Sequence, residues 1–544
     1  MDSQNNSSVN GIERTNLVIG LTYAIGARAE IVTRAMEKHL AEFGYHAHVI
    51  KLSQEILDSQ PINPKEDPFQ RMKRLMDRGN AMRQISGDYG VLALAAIQSI
   101  KELKDKKGKK ISQGGKMSEQ SETEAAAGGQ PEEADPSGHA FIVSSLKHPQ
   151  EVEELREIYS SSFFLVAINE SEDQRRANLV HAKDLRGSDA DELIRRDEGE
   201  DEPFGQHTRD VFEMADIHLT LNPIVPTGSK KSNDIEALLT QQVDRQVSRI
   251  LNLIFGNPFV TPTFDEYAMF MAYASGLRSA DLSRQTGAVI TTPLKEIVAT
   301  GANEVPQCGG GQYWPDPETY EDTPGGRDYT KGEDANRTER ARIVEEIVRL
   351  FKYNEVSEEK EKEEIRQSLL RSSIKYLTEY SRPVHAEMSA IIACARSGIS
   401  LNGATLYCST FPCHNCAKHI INAGIQRVVF IEPYPKSKTM KLYSDSATIT
   451  REKDKVSFEE FVGIGPRRFF DLFSLKLSSG RSIIRQNNSG IVPWKRASAH
   501  LRCPRVDSYS DREAFDLVRY ATLQQKIKQL ENQLSENLEE DPHV

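Results

Sequence analysis

Between His385 and Cys416 the chain reads HAEMSAIIACARSGISLNGATLYCSTFPCHNC, and this stretch constrains the fold more than any other. His385, Cys413 and Cys416 offer one imidazole and two thiols, a three-ligand set that suits four-coordinate zinc with its last position open to water. Glu387, two residues past the histidine, is placed to move protons at a metal-activated water without binding the metal itself. The flanking periodicity predicts a helix over HAEMSAIIACARSG, a strand over ATLYCST, a second helix over CHNCAKHIINAG ending at Gly424, and a strand over RVVFIEPY. A strand, helix, strand order implies parallel pairing and therefore an α/β fold. Pro412 suits a helix start and places Cys413 and Cys416 three apart on one face of the first turn, where the positive helix end favours thiolates. The competing reading is a closed structural site with His419 or Cys408 as fourth ligand, but such a site has no use for the glutamate. His414 is expected to face solvent, Cys394 and Cys408 to be small buried residues, and Cys308 and Cys503 have no ligand-spaced partners.

A chain of 544 residues exceeds one ordinary core, so two large domains with appendages are expected. With 69 Lys and Arg against 80 Asp and Glu, the net charge of −11 argues against a general grip on nucleic-acid backbones. Six unevenly spaced cysteines do not form a disulfide framework and fit a reducing cytoplasm. The first residues, MDSQNNSSVNGIERTN, lack the pattern of a secretory signal, and no run approaches the roughly 18 apolar residues of a membrane span. A cytoplasmic protein with no membrane partner is the expectation.

Along the chain, LVIGLT at 17–22 reads as a strand, residues 27–44 as a helix ending at Gly44, and YHAHVIKLS as the next strand. Later apolar runs continue this βαβ pattern through a helix at GVLALAAIQSIKEL, a strand at AFIVSSL, a helix at EVEELREIY and a strand at SFFLVAIN. Residues 102–138, rich in Gly, Ser, Glu and Lys, are read as a disordered insertion, with a docking segment as the alternative. The Pro- and Gly-bearing GNPFVTPTF marks a boundary, giving an N-terminal domain at 1–255 and a second α/β domain at 256–510. The second begins with a helix at DEYAMFMAYASGLRS and strands at TGAVITT and EIVATGAN. It carries a long polar insertion at 304–380 that suits a lid or an oligomer contact. The last segment, 511–544, is a helical tail whose Leu523, Ile527, Leu530 and Leu534 permit either a short coiled coil or packing on its own chain.

The arrangement H-x-E followed by P-C-x-x-C is the signature of zinc nucleobase deaminases. Through SRQTGAVI, TGANEVP, VHAEMSAI and FPCHNCAKHIINAGIQRVVF, residues 264–445 resemble the deoxycytidylate deaminase branch of the cytidine deaminase superfamily. SLKHPQEVEELREIY and EPYPKSKTMKLYSDS extend the likeness to bacterial anti-phage dCTP/dCMP deaminases, which carry a P-loop kinase-like domain ahead of the deaminase domain. The resemblance implies a P-loop kinase-like parallel-sheet domain, a cytidine-deaminase-like α/β/α domain and a C-terminal helix. It implies zinc on His385, Cys413 and Cys416, Glu387 as proton shuttle, and Asn303 of the GAN turn at the sugar or base; a merely turn-forming asparagine is the alternative. Arg284, Tyr434 and Lys436 are expected as further substrate contacts, the two cations suiting phosphate oxygens, with plain surface charges as the alternative. Implied partners are free deoxycytidine nucleotides, an inhibitory small RNA and further copies of the chain.

The turn GLTYAIGAR, Gly20 to Arg28, stands where a nucleotide kinase places G-x-x-x-x-G-K-[ST], yet it has five residues between Gly20 and Gly26, and Ala27-Arg28 in place of Lys and a hydroxyl. Amides at the helix start could still cradle an anion, with Arg28 adding charge. Arg175 and Arg176 resemble the lid arginines of small-molecule kinases. This domain is therefore expected to sense a nucleotide or another regulator without transferring phosphate. The function expected of the whole is hydrolytic deamination of free deoxycytidine nucleotides. The alternatives are a polynucleotide cytosine or adenine deaminase, and a regulatory RNA- or nucleotide-binding protein with a retired site.

Overall fold

In a computed structural model of the chain, residues 15–55, 66–113, 138–198, 200, 203–223, 232–351, 359–377, 379–434, 437–487, 490–504 and 509–540 are described. The expected runs form four parallel strands, β1 (Leu17–Tyr23), β2 (Tyr45–Lys51), β3 (Gly138–Ser144) and β4 (Phe163–Asn169), and a fifth, β5 (Ile217–Thr220), joins them. They lie in the order β5-β4-β1-β3-β2. β1, β3 and β4 are apolar on both faces because both faces are covered. Leu17, Ile19 and Leu21 pack with the helices Ala29–Glu42 and Ser232–Ile254, whereas Val18 packs with Val91–Gln113 and Pro149–Tyr159.

The chain forms two compact units, one of residues 1–261 with 462–544 and one of residues 262–461. This differs from the boundaries read from sequence. Residues 462–510, expected in the second domain, pack with the first unit, because Ile464, Leu472 and Leu501 bury against the Ser232–Ile254 helix. Here the short strand β12 (Gly463–Ile464) adds to β5 antiparallel. The C-terminal helix Tyr509–Glu540 belongs to the same unit, with Tyr520 and Ile527 buried among residues of Val91–Gln113. Its Arg519 pairs with Asp88 and, at 3.3 Å, with Glu154. The expected disordered insertion is helical over 102–113, since Leu103 continues the apolar stripe of Ala96 and Ile100 and Lys104 pairs with Glu513 at 3.1 Å. Residues 114–137 lie outside the described residues. Among the described residues no helix is long and apolar enough to cross a membrane.

One buried ion pair fastens this unit. Arg83 and Glu151, 2% and 0% exposed, meet at 2.6 Å, and Glu151 also accepts the backbone N–H of Lys147 at 2.8 Å. Removing one partner of a buried pair strands the other, at about 3–5 kcal/mol. A Glu151→Leu variant is expected to lose about that much stability in denaturant unfolding; a loss under about 1 kcal/mol would contradict this account.

The second unit is a three-layer α/β/α sandwich. Its sheet runs β10-β11-β9-β8-β6-β7, from β6 (Gly287–Thr291), β7 (Ile297–Ala302), β8 (Thr405–Thr410), β9 (Arg427–Glu432), β10 (Ala447–Thr448) and β11 (Val456–Glu460). β6 pairs antiparallel with β7 and β8, and β8 pairs parallel with β9 as its sequence order requires. Val289, Tyr407 and Val429 face the helix Phe264–Gly276. Ala288, Ile290, Leu406, Cys408 and Val428 face the helices Ala386–Arg396 and His414–Asn422. Gly301 of β7 lets the former helix come close, since a Cβ there would lie 2.1 Å from the Ala386 carbonyl oxygen. The charged insertion folds as two helices, Ala335–Phe351 and Glu359–Arg371, and its base is closed by a bridge between Glu304 and Val384.

Candidate metal centre

Three donor atoms converge at the starts of two helices. His385 is the N-cap of Ala386–Arg396 and Cys413 the N-cap of His414–Asn422, with Cys416 in the first turn of the latter. The His385 Nδ1 stands 3.4 Å from the Sγ of Cys413 and 3.4 Å from that of Cys416. All three donors lie within 4.8 Å of one another. Zinc bonds of about 2.05 Å to nitrogen and 2.3 Å to sulfur, meeting at a tetrahedral angle, separate the two donors by about 3.6 Å, so the set fits zinc. No fourth His, Cys, Asp or Glu joins this group among the described residues, which matches an open site and not a closed one. The two residues considered as a fourth ligand are otherwise placed. Cys408 is buried with its thiol donating to the Val429 carbonyl at 3.7 Å, and His419 is exposed.

Electrostatics favour a ligating thiolate. Cys413 is pulled down to about 4, first by a hydrogen bond with Cys416 and then by His385. His385 is pushed up to about 9 by its bond to Cys413, against the opposing effect of burial. Glu387, 4% exposed in the first turn behind His385, has its carboxyl raised by burial, with the charge of His385 opposing. A buried carboxyl poised to accept and release a proton is thus set against the ligand cluster.

The other candidate residues divide by location. Asn303, 7% exposed, uses its side chain to clasp the loop before β6: Oδ1 accepts the Thr286 N–H at 2.7 Å and Nδ2 donates to the Arg284 carbonyl at 2.8 Å. Arg284 is half exposed, and its Nη1 pairs with Glu432 Oε1 at 2.6 Å. Glu432 takes its other hydrogen bond from Thr410 Oγ1 at 2.5 Å, just ahead of the Phe411-Pro412-Cys413 turn. Sequence reading missed Glu432, whose only signal is its place at the end of the strand after the C-x-x-C helix. Tyr434 is half-buried, its carbonyl accepting the Ser437 N–H at 2.9 Å, and Lys436 lies outside the described residues. His414, expected to face solvent, is half-buried with Nδ1 enclosed and without a hydrogen-bond partner.

The remaining candidates sit in the other unit. Gly20 is a mid-strand residue wedged beside Leu146 and Phe163, so it is not part of a phosphate loop; only Gly26, at φ +85°, lies in the turn. Arg28 is paired with Glu170 at 2.6 Å, Arg176 with Asp191 at 2.6 Å, and the Arg175 Nε donates to the Glu170 carbonyl at 3.1 Å.

Residues 262–432 match the family of the cytidine and deoxycytidylate deaminase zinc-binding region. This stretch contains all three ligands and Glu387, so the chain carries a zinc-binding deaminase domain of that superfamily, with zinc as its cofactor. Among individual proteins, the chain is similar to the deoxycytidylate deaminase of Enterobacteria phage T2, at 47% identity over 55 residues, 10% of this chain and 29% of that protein. It is also similar to the Homo sapiens deoxycytidylate deaminase, at 26% identity over 200 residues, 36% of this chain and 79% of that protein. The chain thus spans less than a third of the phage relative's length. A solved structure, the dCMP deaminase from the cyanophage S-TIM5 in apo form, aligns at 16% identity over 37% of this chain and 100% of that one, with a TM-score of 0.21.

Proposed function

We propose that the second unit hydrolytically deaminates free deoxycytidine nucleotides, converting dCTP or dCMP to dUTP or dUMP and ammonia. The observation that carries this reading is the three-donor cluster with a buried glutamate against it and no fourth protein ligand among the described residues. His385, Cys413 and Cys416 would hold zinc, which would supply the Lewis acidity that makes a water easier to deprotonate near neutral pH. Glu387 takes the proton released there and delivers protons to the ring nitrogen and to the departing amine. The C4–N bond breaks and a C4 carbonyl replaces it; one of the water's two protons stays on the ring nitrogen and the other leaves with the amine as ammonia. Burial suits Glu387 to this cycle, since it raises the carboxyl's hold on a proton between one transfer and the next.

Arg284 is assigned to the substrate phosphate and Asn303 to holding the loop that presents it, which fits the clasp between them. An Arg284→Gln variant is expected to raise KM for dCMP by about tenfold or more, the worth of one charge-assisted hydrogen bond, while leaving deoxycytidine turnover unchanged. Equal losses on both substrates would remove Arg284 from phosphate recognition. Depletion of the deoxycytidine nucleotide pool as an anti-phage defence is the cellular role proposed, supported by the sequence likeness to that group. The test is purified protein offered dCTP, dCMP, cytidine and single-stranded DNA at equal concentration. Ammonia from the free nucleotides supports the proposal. Activity on the polymer alone supports a polynucleotide deaminase, and no activity in zinc-loaded protein supports a retired site.

A further inference from the structure

The β1-to-helix turn of the first unit has the position of a phosphate cradle, and its donors are already taken. The Ile25 N–H donates to Asp197 Oδ2 at 2.7 Å, and the Arg28 N–H donates to Glu170 Oε2 at 2.9 Å. The Arg28 guanidinium grips Glu170 Oε1 through Nε at 2.8 Å and Nη2 at 2.6 Å, and Asn178 Nδ2 reaches the same oxygen at 3.3 Å. Lys147 Nζ pairs with Asp197 Oδ1 at 2.9 Å and donates to the Tyr23 carbonyl. The Glu170 and Asp197 side chains are 0% and 2% exposed. Two buried carboxylates therefore face two cations and two backbone amides, the partners that a pair of phosphate groups would use.

The segment that delivers these carboxylates is also pressed onto the turn. Arg175 donates from Nε to the Glu170 carbonyl at 3.1 Å and from Nη1 to the Ile25 carbonyl at 3.4 Å, while Asn178 Nδ2 donates to the Gly26 carbonyl at 3.0 Å. A Cβ on Gly26 would lie 2.6 Å from the Arg175 carbonyl oxygen, so backbone meets backbone with no layer of ligand between. An entering phosphate would meet two fixed negative charges in a dry site, where like charges repel strongly.

We propose that this turn is a self-occupied anion cradle. Glu170 and Asp197 stand in for phosphate, fastening residues 170–198 over the turn, and the unit takes no nucleoside triphosphate there. This replaces the nucleotide-sensing role expected from sequence for Gly26, Arg28 and Arg175. The inference is independent of the deaminase reading.

Hydrogen exchange on the full-length protein tests it, with millimolar MgATP, MgGTP or inorganic phosphate as probes. In the wild type, the amides of Ile25 and Arg28 are expected to be protected without ligand, and no probe changes exchange at 24–28 or 172–198. Glu170→Ala and Asp197→Asn each remove a charge-assisted anchor, so exchange across 172–198 is expected to quicken by on the order of tenfold or more. In Glu170→Ala, added phosphate or acetate is expected to restore part of the protection. The proposal is overturned if MgATP slows exchange at the wild-type turn in a manner lost in Arg28→Gln, or if neither variant alters exchange across 172–198. Should Glu170→Ala fail to fold, Asp197→Asn and the wild-type ligand series decide the matter.

Discussion

A Glu387→Gln variant is expected to keep its zinc and lose deamination. Glutamine preserves the size of a side chain that is 4% exposed, and its amide can carry no proton between water, ring nitrogen and amine. Proton transfer by a positioned group contributes about 10²–10⁴-fold, and here one group serves several transfers, so a fall toward the upper end of that range is expected in ammonia release from dCMP. Elemental analysis of the same sample should show unchanged zinc, because Glu387 is not one of the three donors. Activity within about tenfold of wild type would remove Glu387 from the chemistry. Loss of zinc in parallel would make it a prop for the ligand cluster.

Cys416→Ala is expected to have the broader effect. Cys416 is 1% exposed, and its loss leaves His385 and Cys413 as two ligands, too few to retain zinc against a chelator. Bound zinc should drop from about one per chain to near none, with deamination falling beyond detection. Thermal unfolding should also shift downward, because zinc bound only by the folded state stabilises it by mass action. Chelation of wild-type protein should reproduce the loss of activity, and added zinc should reverse it in wild type but not in the variant. Zinc held at full stoichiometry by Cys416→Ala would mean that another residue completes the site.

The metal cluster and the strand pattern were legible because their causes are local. Cys413 and Cys416 lie within one helical turn, and His385 lies one helix and one strand earlier. The apolar runs of β1, β3 and β4 announced a sheet covered on both faces. What escaped depends on distant partners. Ile25 meets Asp197 across 172 positions, Arg28 meets Glu170 across 142, and Arg284 meets Glu432 across 148. No periodicity reports such pairings, and a lone carboxylate at a strand end is ordinary in sequence. The helix over 102–113 was legible in part, for Ala96, Ile100 and Leu103 share one face, but its polar composition argued more loudly for a loop. The placement of Ile464, Leu472 and Leu501 could not be read at all, since apolar residues suit either core equally.

The first unit is interrupted: it leaves off at residue 261 and resumes at 462. During synthesis, every residue of the second unit is made before β12, Leu472 and Leu501, which complete the first unit's core. The second unit is therefore complete in sequence while the unit that precedes it still lacks an edge strand and a share of its apolar cover. A chain truncated after residue 461 and freed from the ribosome should resist protease across 262–461 and remain cleavable within 1–261. Premature termination in the last sixty residues would then leave a folded metal centre joined to an incomplete partner.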